Sequence, residues 1–309
     1  MSTATTTKSE RSKRFRLFWI VPIILVVGVG IVLLAQAFRA SDAGSSFLKT
    51  YPGHSELPSS APVGFPAWLE WQHFLSAFFI LLIVRTGWQI RTTRRPPAYW
   101  TRKNTGAITT KNPPIRISLS VWFHLTVDIL WVLNGVVFYV LLFVTGQWMR
   151  VIPTRWDVFP NAISAGIQYA SLNWPTEDGW SNYNALQLIT YFLTVFIAAP
   201  LAIFTGVRMV PGLALRFQKI DKIYPVAIAR KIHFPVMIYF VAFTVVHVTL
   251  VLATGALRNL NHMYAGRDDQ NWIGFGIFAG SVVLMVAAWM AVRPTILASM
   301  ASLTGNVRR

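Results

Sequence analysis

The sequence contains no cysteine among its 309 residues. This absence excludes disulfide bonds, iron–sulfur clusters held by thiolates and covalently attached c-type haem on this chain. Any redox cofactor must therefore be held by histidine or by non-covalent contacts. Charged residues are also scarce, at 13% of the chain, and only 11 residues are acidic.

The sequence contains long apolar stretches. Hydrophobic residues make up 54% of the chain and the mean hydropathy is +0.49, which is typical of a polytopic membrane protein. A stretch of about 20 apolar residues can cross a bilayer as a helix. Six such spans are predicted, at 15–38, 67–90, 118–147, 183–207, 231–256 and 272–293. The first is too long for the core of a signal peptide, so we interpret it as an uncleaved membrane helix.

The basic residues are distributed unevenly among the loops. A net charge of +17 would suggest nucleic-acid binding in a soluble protein. Here 21 of the Lys and Arg residues lie at the termini and in alternate loops, whereas six lie in the other loops. Because basic loops remain in the cytoplasm, we expect both termini to be cytoplasmic in a bacterial inner membrane. The longest basic loop, 92–114, is a candidate docking surface for a soluble partner.

Four of the six histidines lie in the predicted spans. His233 and His247 are fourteen residues apart on the fifth span. This spacing brings a helix to within roughly 40° of its starting direction and advances it by about 21 Å. Because His73 lies near the outer end of the second span and His124 near the inner end of the third, depth pairs His73 with His247 and His124 with His233. Imidazole is a common axial ligand of haem iron, so the pattern favours two bis-histidine haem sites, one in each leaflet.

Other interpretations of these residues stay open. A membrane histidine can simply form a hydrogen bond between helices, and a zinc site needs three or four ligands close together. Ionisable groups within membranes also mark proton paths, so the alternative function is a proton-coupled transporter that uses the histidines and Asp128. A structural anchor without haem is a third hypothesis. His54 and His262, in outer loops, are expected to be solvated surface residues.

Two motifs resemble a known family. They are Asn182-Tyr183-Asn184-Ala185-Leu186-Gln187, followed by a span that ends in Phe204-Thr205-Gly206, and Ile232-His233 with His247. Both resemble the cytochrome b subunits of respiratory formate dehydrogenases, nickel–iron hydrogenases and thiosulfate reductases, which are bacterial cytochrome b561-like membrane anchors. The resemblance covers about residues 67–256 and implies a four-helix bundle with two haem b groups. It implies that the axial ligands of the haem iron are His73, His124, His233 and His247, in the same two pairs.

The resemblance also implies a quinone site beside the outer pair, for menaquinone or ubiquinone. It maps to Asn184 and Gln187. Glu70 lies three residues before His73 on the same helix face, and it is a candidate proton-relay carboxylate there; the alternative is a solvated interfacial acid.

Several charged residues near the histidines need a separate explanation. Arg230 and Lys231 are candidate partners of haem propionates, as is Arg116; alternatively they only mark the cytoplasmic side. Arg85 and Asp128 lie within spans, where an unpaired charge is costly. We expect these two residues to pair with each other or with haem groups.

The sequence thus predicts an all-α polytopic membrane protein of about six transmembrane helices. Its predicted segments are a disordered cytoplasmic N-terminus at 1–16, an additional helix and outer loop at 17–66, the di-haem bundle at 67–256, and a last loop, helix and tail at 257–309. The predicted function is transfer of electrons between a soluble molybdopterin or iron–sulfur subunit and quinone, with substrate chemistry on that partner. The charge bias puts the partner side in the cytoplasm, which inverts the orientation of the formate dehydrogenase relative.

Overall fold

The computed structural model describes residues 4–105, 109–111, 113–174, 178–216 and 218–309. Helices dominate, with a 3₁₀ turn at Gln147–Arg150 and a π-helical turn at Leu193–Ala198. In chain order the elements are α1 Ala4–Ala40, α2 Asp42–Thr50, α3 Ala67–Thr92, β1 Tyr99–Arg102, β2 Arg116–Ser118, α4 Leu119–Val144, α5 Val158–Ala170, α6 Ala185–Phe192, α7 Ala199–Met209, α8 Pro211–Arg216, α9 Gln218–Ile223, α10 Val226–Ala253, α11 Ala256–Ala265, α12 Ile273–Ala291, α13 Pro294–Ser302 and β3 Gly305–Arg308.

Six helical segments are long and apolar enough to cross a membrane. They are Phe18–Ala40, Ala67–Thr92, Leu119–Val144, Ala185–Met209, Val226–Ala253 and Ile273–Ala291. Their apolar side chains are extensively exposed, as expected where lipid rather than water is the solvent. The predicted helical, multi-pass membrane fold is confirmed.

The N-terminal helix is longer than its apolar span. It begins at Ala4, so residues 4–16 are helical where the sequence predicts disorder. Arg, Lys and Glu, which recur between Lys8 and Arg16, are good helix formers and allow the membrane helix to continue beyond its apolar part.

The chain divides into two compact units whose boundaries differ from the predicted segments. The first unit comprises Met1–Pro58, Ile152–Asp178 and Asn182–Thr190. Within it, Val158 and Ala162 of α5 pack against Ala185 and Leu188 of α6. The guanidinium of Arg39 at the end of α1 donates to the Ser171 hydroxyl, over 3.1 Å.

The second unit comprises Ser59–Val151, Gly179–Ser181 and Tyr191–Arg309. In it α3 packs along α4, α7 packs along α10, and α12 packs on α11 and α3. Aromatic contacts join the two helix pairs: Trp88 meets Phe234 at 6.5 Å, and Trp131 meets Phe240 at 6.2 Å between ring centres. Helices from five candidate membrane spans, α3, α4, α7, α10 and α12, are therefore linked by packing inside this unit.

The π-helical turn interrupts the fourth span in this unit. A π-turn leaves backbone carbonyls without their regular partners. The Tyr139 hydroxyl of α4 donates to the Val195 carbonyl at 2.5 Å, and the Thr194 hydroxyl bonds the Tyr239 hydroxyl at 2.7 Å. Neighbouring helices thus satisfy the irregular backbone, as the bilayer interior requires.

A small antiparallel sheet, which the sequence analysis did not predict, lies at the start of α4. Its strand order is β2-β1-β3, with Trp100 opposite both Ile117 and Val307. The Trp100 indole donates to the Ala301 carbonyl at 3.1 Å, which ties the C-terminal segment to loop 92–118. Ser118, the last residue of β2, accepts from Val121 N–H and caps α4, so the sheet determines where that helix begins.

Candidate haem-binding sites

The outer histidine pair comes together in the second unit. His73 lies on the second turn of α3, and His247 lies near the end of α10. Their ring centres are 6.3 Å apart and their planes are inclined by 59°. The pairing that depth predicted is therefore present as a contact between two facing imidazoles.

The spacing of this pair fits one metal ion between the rings. A nitrogen of an imidazole binds a first-row metal at about 2.0 Å and lies about 1.2 Å from its own ring centre, so two rings on one iron have centres roughly 6.4 Å apart. The observed 6.3 Å agrees. The described residues contain no group of three or more His, Cys, Asp or Glu side chains that could hold a metal. A bis-histidine haem needs only two, because the porphyrin supplies the other four nitrogens.

Aromatic side chains surround the outer pair. Phe243, one turn before His247 on α10, stacks on its imidazole at 5.4 Å with planes 6° apart. Tyr191 presents its edge to the same ring, and Tyr264 of α11 presents its edge to His73 at 6.0 Å. Among the described residues the buried Nδ1 atom of His73 has no hydrogen-bond partner. These rings shield the pair from water and provide an apolar surround for a flat macrocycle.

The inner histidine pair is held by two threonines. The Thr86 hydroxyl of α3 lies 2.8 Å from Nδ1 of His124, and the Thr205 hydroxyl of α7 lies 2.8 Å from Nδ1 of His233. Both threonines are fully buried. Sequence reasoning named Thr205 only as part of a motif and missed Thr86, because the roles of both hydroxyls depend on helix contacts that span 38 and 28 residues.

The two charged residues inside the spans have separate partners. Arg85 donates to the Val292 carbonyl at 2.9 Å and lies over the Trp289 ring at 4.7 Å. Asp128 lies 3.7 Å from Nε2 of His124, one turn along the same helix. The two residues therefore do not pair with each other, because Arg85 contacts Val292 and Trp289 whereas α4 itself brings Asp128 to the histidine. Among the described residues Nε of Arg85 has no hydrogen-bond partner. Pairing of either residue with haem groups stays a prediction.

The candidate propionate partners are exposed at helix and strand starts. Arg230 and Lys231 are exposed in the first turns of α10, and Arg116 lies over the Tyr99 ring at 4.1 Å in the sheet. Arg91, which sequence reasoning did not single out, lies 3.8 Å over the Phe234 ring, beside His233. That these basic residues bind haem propionates stays a prediction.

The residues of the predicted quinone motif form a helix cap in the first unit. Asn184 Oδ1 accepts from Gln187 N–H at 2.9 Å, and Gln187 Oε1 accepts from Asn184 N–H at 3.1 Å. This reciprocal pair is a capping box at the start of α6. The Asn184 side-chain amide also donates to the Tyr169 hydroxyl at 2.8 Å. The motif therefore has a local structural role, and its quinone role stays a prediction.

Glu70 and His262 lie in the second unit beyond the outer pair. The Glu70 carboxylate lies against Gly266, where a β-carbon would be 2.6 Å from Oε1. His262 is only 4% exposed, so the expectation of a solvated side chain is wrong. It lies between Phe65 and Trp180, at 5.9 and 5.3 Å, because the amphipathic helix α11 folds back onto them. Its Nε2 is 2.8 Å from Asp268. His54 is exposed.

Membrane-crossing helices with facing histidines are features of membrane-bound b-type cytochromes, which carry electrons. The family model described as prokaryotic cytochrome b561 matches residues 64–266, and the chain belongs to this family. The match contains all four paired histidines and both buried threonines. No curated protein and no solved structure is significantly similar to the chain. Family membership implies b-type haem binding and a role in electron transfer.

Proposed function

We propose that this protein is the membrane subunit of an oxidoreductase complex and holds two b haems. The observation that carries the proposal is the 6.3 Å separation of the His73 and His247 rings, which matches two axial ligands of one iron. His124 and His233 would hold the second haem from the start of α4 and the start of α10. Electrons would pass between a soluble partner and membrane quinone, and the partner would carry the substrate chemistry.

The residues around each pair have distinct tasks in this proposal. When bound, each haem supplies a one-electron carrier. His73 and His247 would hold one haem, while Phe243, Tyr191 and Tyr264 exclude water from their site. Because water is excluded, the surroundings of the haem reorganise little during electron transfer. Arg91, Arg230 and Lys231 are basic groups at the end of the bundle that carries His233, where they can neutralise propionates.

The position of the sheet supports docking of the soluble partner at the same end. His124 comes only six positions after Ser118 of β2, which is about 9 Å along a helix. Loop 92–114 is strongly basic, so an acidic face of an iron–sulfur or molybdopterin subunit would complement it. We place this end in the cytoplasm because of the charge bias of the loops. Quinone exchange would then occur on the opposite side of the membrane. Glu70 stays a candidate proton relay there, and the quinone roles of Asn184 and Gln187 rest on the sequence resemblance alone.

The first experiment is a dithionite-reduced minus oxidised visible spectrum of the purified protein, with haem quantified as its pyridine haemochrome. We expect a b-type α-band and about two haems per chain. His247→Ala and His124→Ala should each remove about one haem, since an alanine cannot supply an axial nitrogen.

His54→Ala is the matched control, because His54 is exposed and lies outside the spans. Its haem content should equal that of the unchanged protein. A folded protein that was expressed with haem available and contains none would contradict the proposal and favour the proton-coupled transporter. One haem that is lost in His73→Ala and retained in His124→Ala would reduce the proposal to a single site.

A further inference from the structure

The same local arrangement occurs twice around the inner histidines. Thr86 is followed by Gly87 on α3, and Thr205 is followed by Gly206 on α7. In each case the threonine hydroxyl meets Nδ1 of a histidine at 2.8 Å. In each case the glycine lies under the same ring: a β-carbon would be 3.4 Å from His124 Cε1 at Gly87 and 3.5 Å from His233 Cε1 at Gly206.

The hydrogen bonds are compatible with one tautomer that suits a metal ligand. The Thr86 hydroxyl lies 2.8 Å from the Leu82 carbonyl, and the Thr205 hydroxyl lies 2.7 Å from the Leu201 carbonyl. A hydroxyl has a single proton, and when it is donated to the carbonyl the oxygen accepts a hydrogen bond from Nδ1–H of the histidine. In this tautomer Nε2 keeps its lone pair for a metal.

The glycines leave room beside each ring. A β-carbon added at Gly87 or Gly206 would lie at an ordinary van der Waals distance from Cε1 of the histidine. The hydrogen bond at Nδ1 therefore holds each ring and turns Nε2 away from the threonine. Nε2 of His124 lies 3.7 Å from Asp128 Oδ2, which is longer than a hydrogen bond.

The outer pair differs on this point. Among the described residues no hydrogen bond reaches the buried Nδ1 of His73, and its surroundings are aromatic. Within the described part of the chain, His73 thus lacks the threonine support that His124 and His233 have.

We propose that Thr86 and Thr205 are positioning residues that present Nε2 of His124 and His233 to the inner haem and set its reduction potential. The inference rests on the proposed di-haem function. A hydrogen bond from the second ring nitrogen makes a ligating imidazole more basic, and a more basic ligand stabilises the ferric state. The two threonines therefore lower the potential of the inner haem.

The test is a spectroelectrochemical redox titration of the haem-loaded protein, together with its low-spin ferric electron paramagnetic resonance spectrum. Thr86→Val and Thr205→Val keep the side-chain shape and remove the hydroxyl. We expect each variant to raise the midpoint potential of one haem by up to about 59 mV. For a one-electron couple this corresponds to a tenfold change in the ferric-to-ferrous ratio. The haem that shifts should be the one missing in His233→Ala, and the other haem should keep its potential.

Two sets of variants separate positioning from packing. Thr86→Ser and Thr205→Ser retain the hydroxyl, so they should keep the original potential and spectrum. Thr126→Val is the control on α4, because the Thr126 hydroxyl also donates to a carbonyl one turn back, that of Trp122. It should shift neither potential. If a valine variant loses the inner haem altogether while its serine counterpart retains it, the proposal is likewise supported.

Two outcomes would overturn the inference while leaving the proposed function intact. One is a normal complement of two haems with both potentials unchanged in the valine variants. The other is an equal change in the serine and valine variants, which would indicate packing rather than a hydrogen bond. Absence of haem from the unchanged protein would instead mean that the proposed function itself has failed.

Discussion

The carboxylate of Asp268 has two partners, the half-buried Arg258 and the buried His262. Arg258 donates to Oδ1 at 2.8 Å, and the buried His262 ring lies 2.8 Å from the same oxygen. These hydrogen bonds, first that of Arg258 and then that of His262, lower the pKa of Asp268 to about 2. The carboxylate therefore links the loop after α11 to the ring that packs between Phe65 and Trp180.

We predict that Asp268→Asn lowers the free energy of unfolding by about 1 kcal/mol at neutral pH, a small value because the carboxylate is partly exposed and screened by solvent. The folded pKa is depressed, so the contribution is fully present above the unfolded pKa of about 4 and is lost as the pH falls toward 2. Thermal unfolding in detergent between pH 7 and pH 3 should show the two proteins converging at the acid end.

Glu56→Gln is the control for this prediction. Glu56 pairs with Arg155 at 3.7 Å, but its side chain is 83% exposed, so its loss should leave stability unchanged. A difference between Asp268→Asn and the unchanged protein that persists undiminished at pH 3 would contradict the electrostatic account.

At the scale of single residues, depth along the spans allowed neighbouring histidines to be predicted, while their role as haem ligands stays a prediction. His73 and His247 could be paired because span direction and position along each span are readable from hydropathy, and the structure brings their rings together. His262 was misjudged because its burial depends on α11 folding back onto Phe65 and Trp180. Thr86 could not be identified from the sequence as a partner of His124, because a threonine within an apolar helix usually forms a hydrogen bond only with the backbone of its own helix.

At the scale of elements, helix α11 ends at a glycine that lies close to α3. Gly266 is its C-cap, with φ of 59° in the left-handed region. A β-carbon there would lie 2.6 Å from the Glu70 carboxylate. Glycine is therefore required both by the backbone conformation and by the close approach of the two elements.

We predict that Gly266→Ala lowers the free energy of unfolding by about 1–2 kcal/mol from the left-handed conformation alone, with a further loss from displacement of Glu70. Adding Glu70→Ala to Gly266→Ala should recover the stability lost through displacement of Glu70. The double-mutant cycle measures this coupling energy. Gly276→Ala is the matched control on α12. Among the described residues, no atom outside the helix's own backbone lies within 4 Å of the added carbon, so stability should stay level or rise by up to about 1 kcal/mol.

Elements differed in how well they could be predicted. The spans were found to within a few residues because about 20 consecutive apolar residues form a strong signal. The sheet was missed because its strands are three or four residues long, and β3 pairs with β1 across some 200 positions of sequence. The motif at Asn184 and Gln187 was recognised, but its capping geometry became visible only in the structure.

At the scale of the whole molecule, the family and the helical membrane fold follow from the chain, while its orientation rests on charge bias. The same bias decides which histidine pair faces the soluble partner. The absence of cysteine makes orientation directly measurable, because any single introduced thiol is the only one on the chain. Ser59 and Thr93 are suitable sites, since both are exposed and flank the span Ala67–Thr92.

We predict that, in intact spheroplasts, a membrane-impermeant maleimide labels Ser59→Cys and not Thr93→Cys. Thr93→Cys should react only after the membrane is permeabilised, because it begins the basic loop 92–114 that we expect in the cytoplasm. The unchanged cysteine-free protein gives the background. The reverse pattern would place His124 and His233 at the outer side and the quinone side in the cytoplasm. It would move the docking surface to the other compartment without affecting the pairing of the histidines, which depends on the order of the helices and not on their direction across the bilayer.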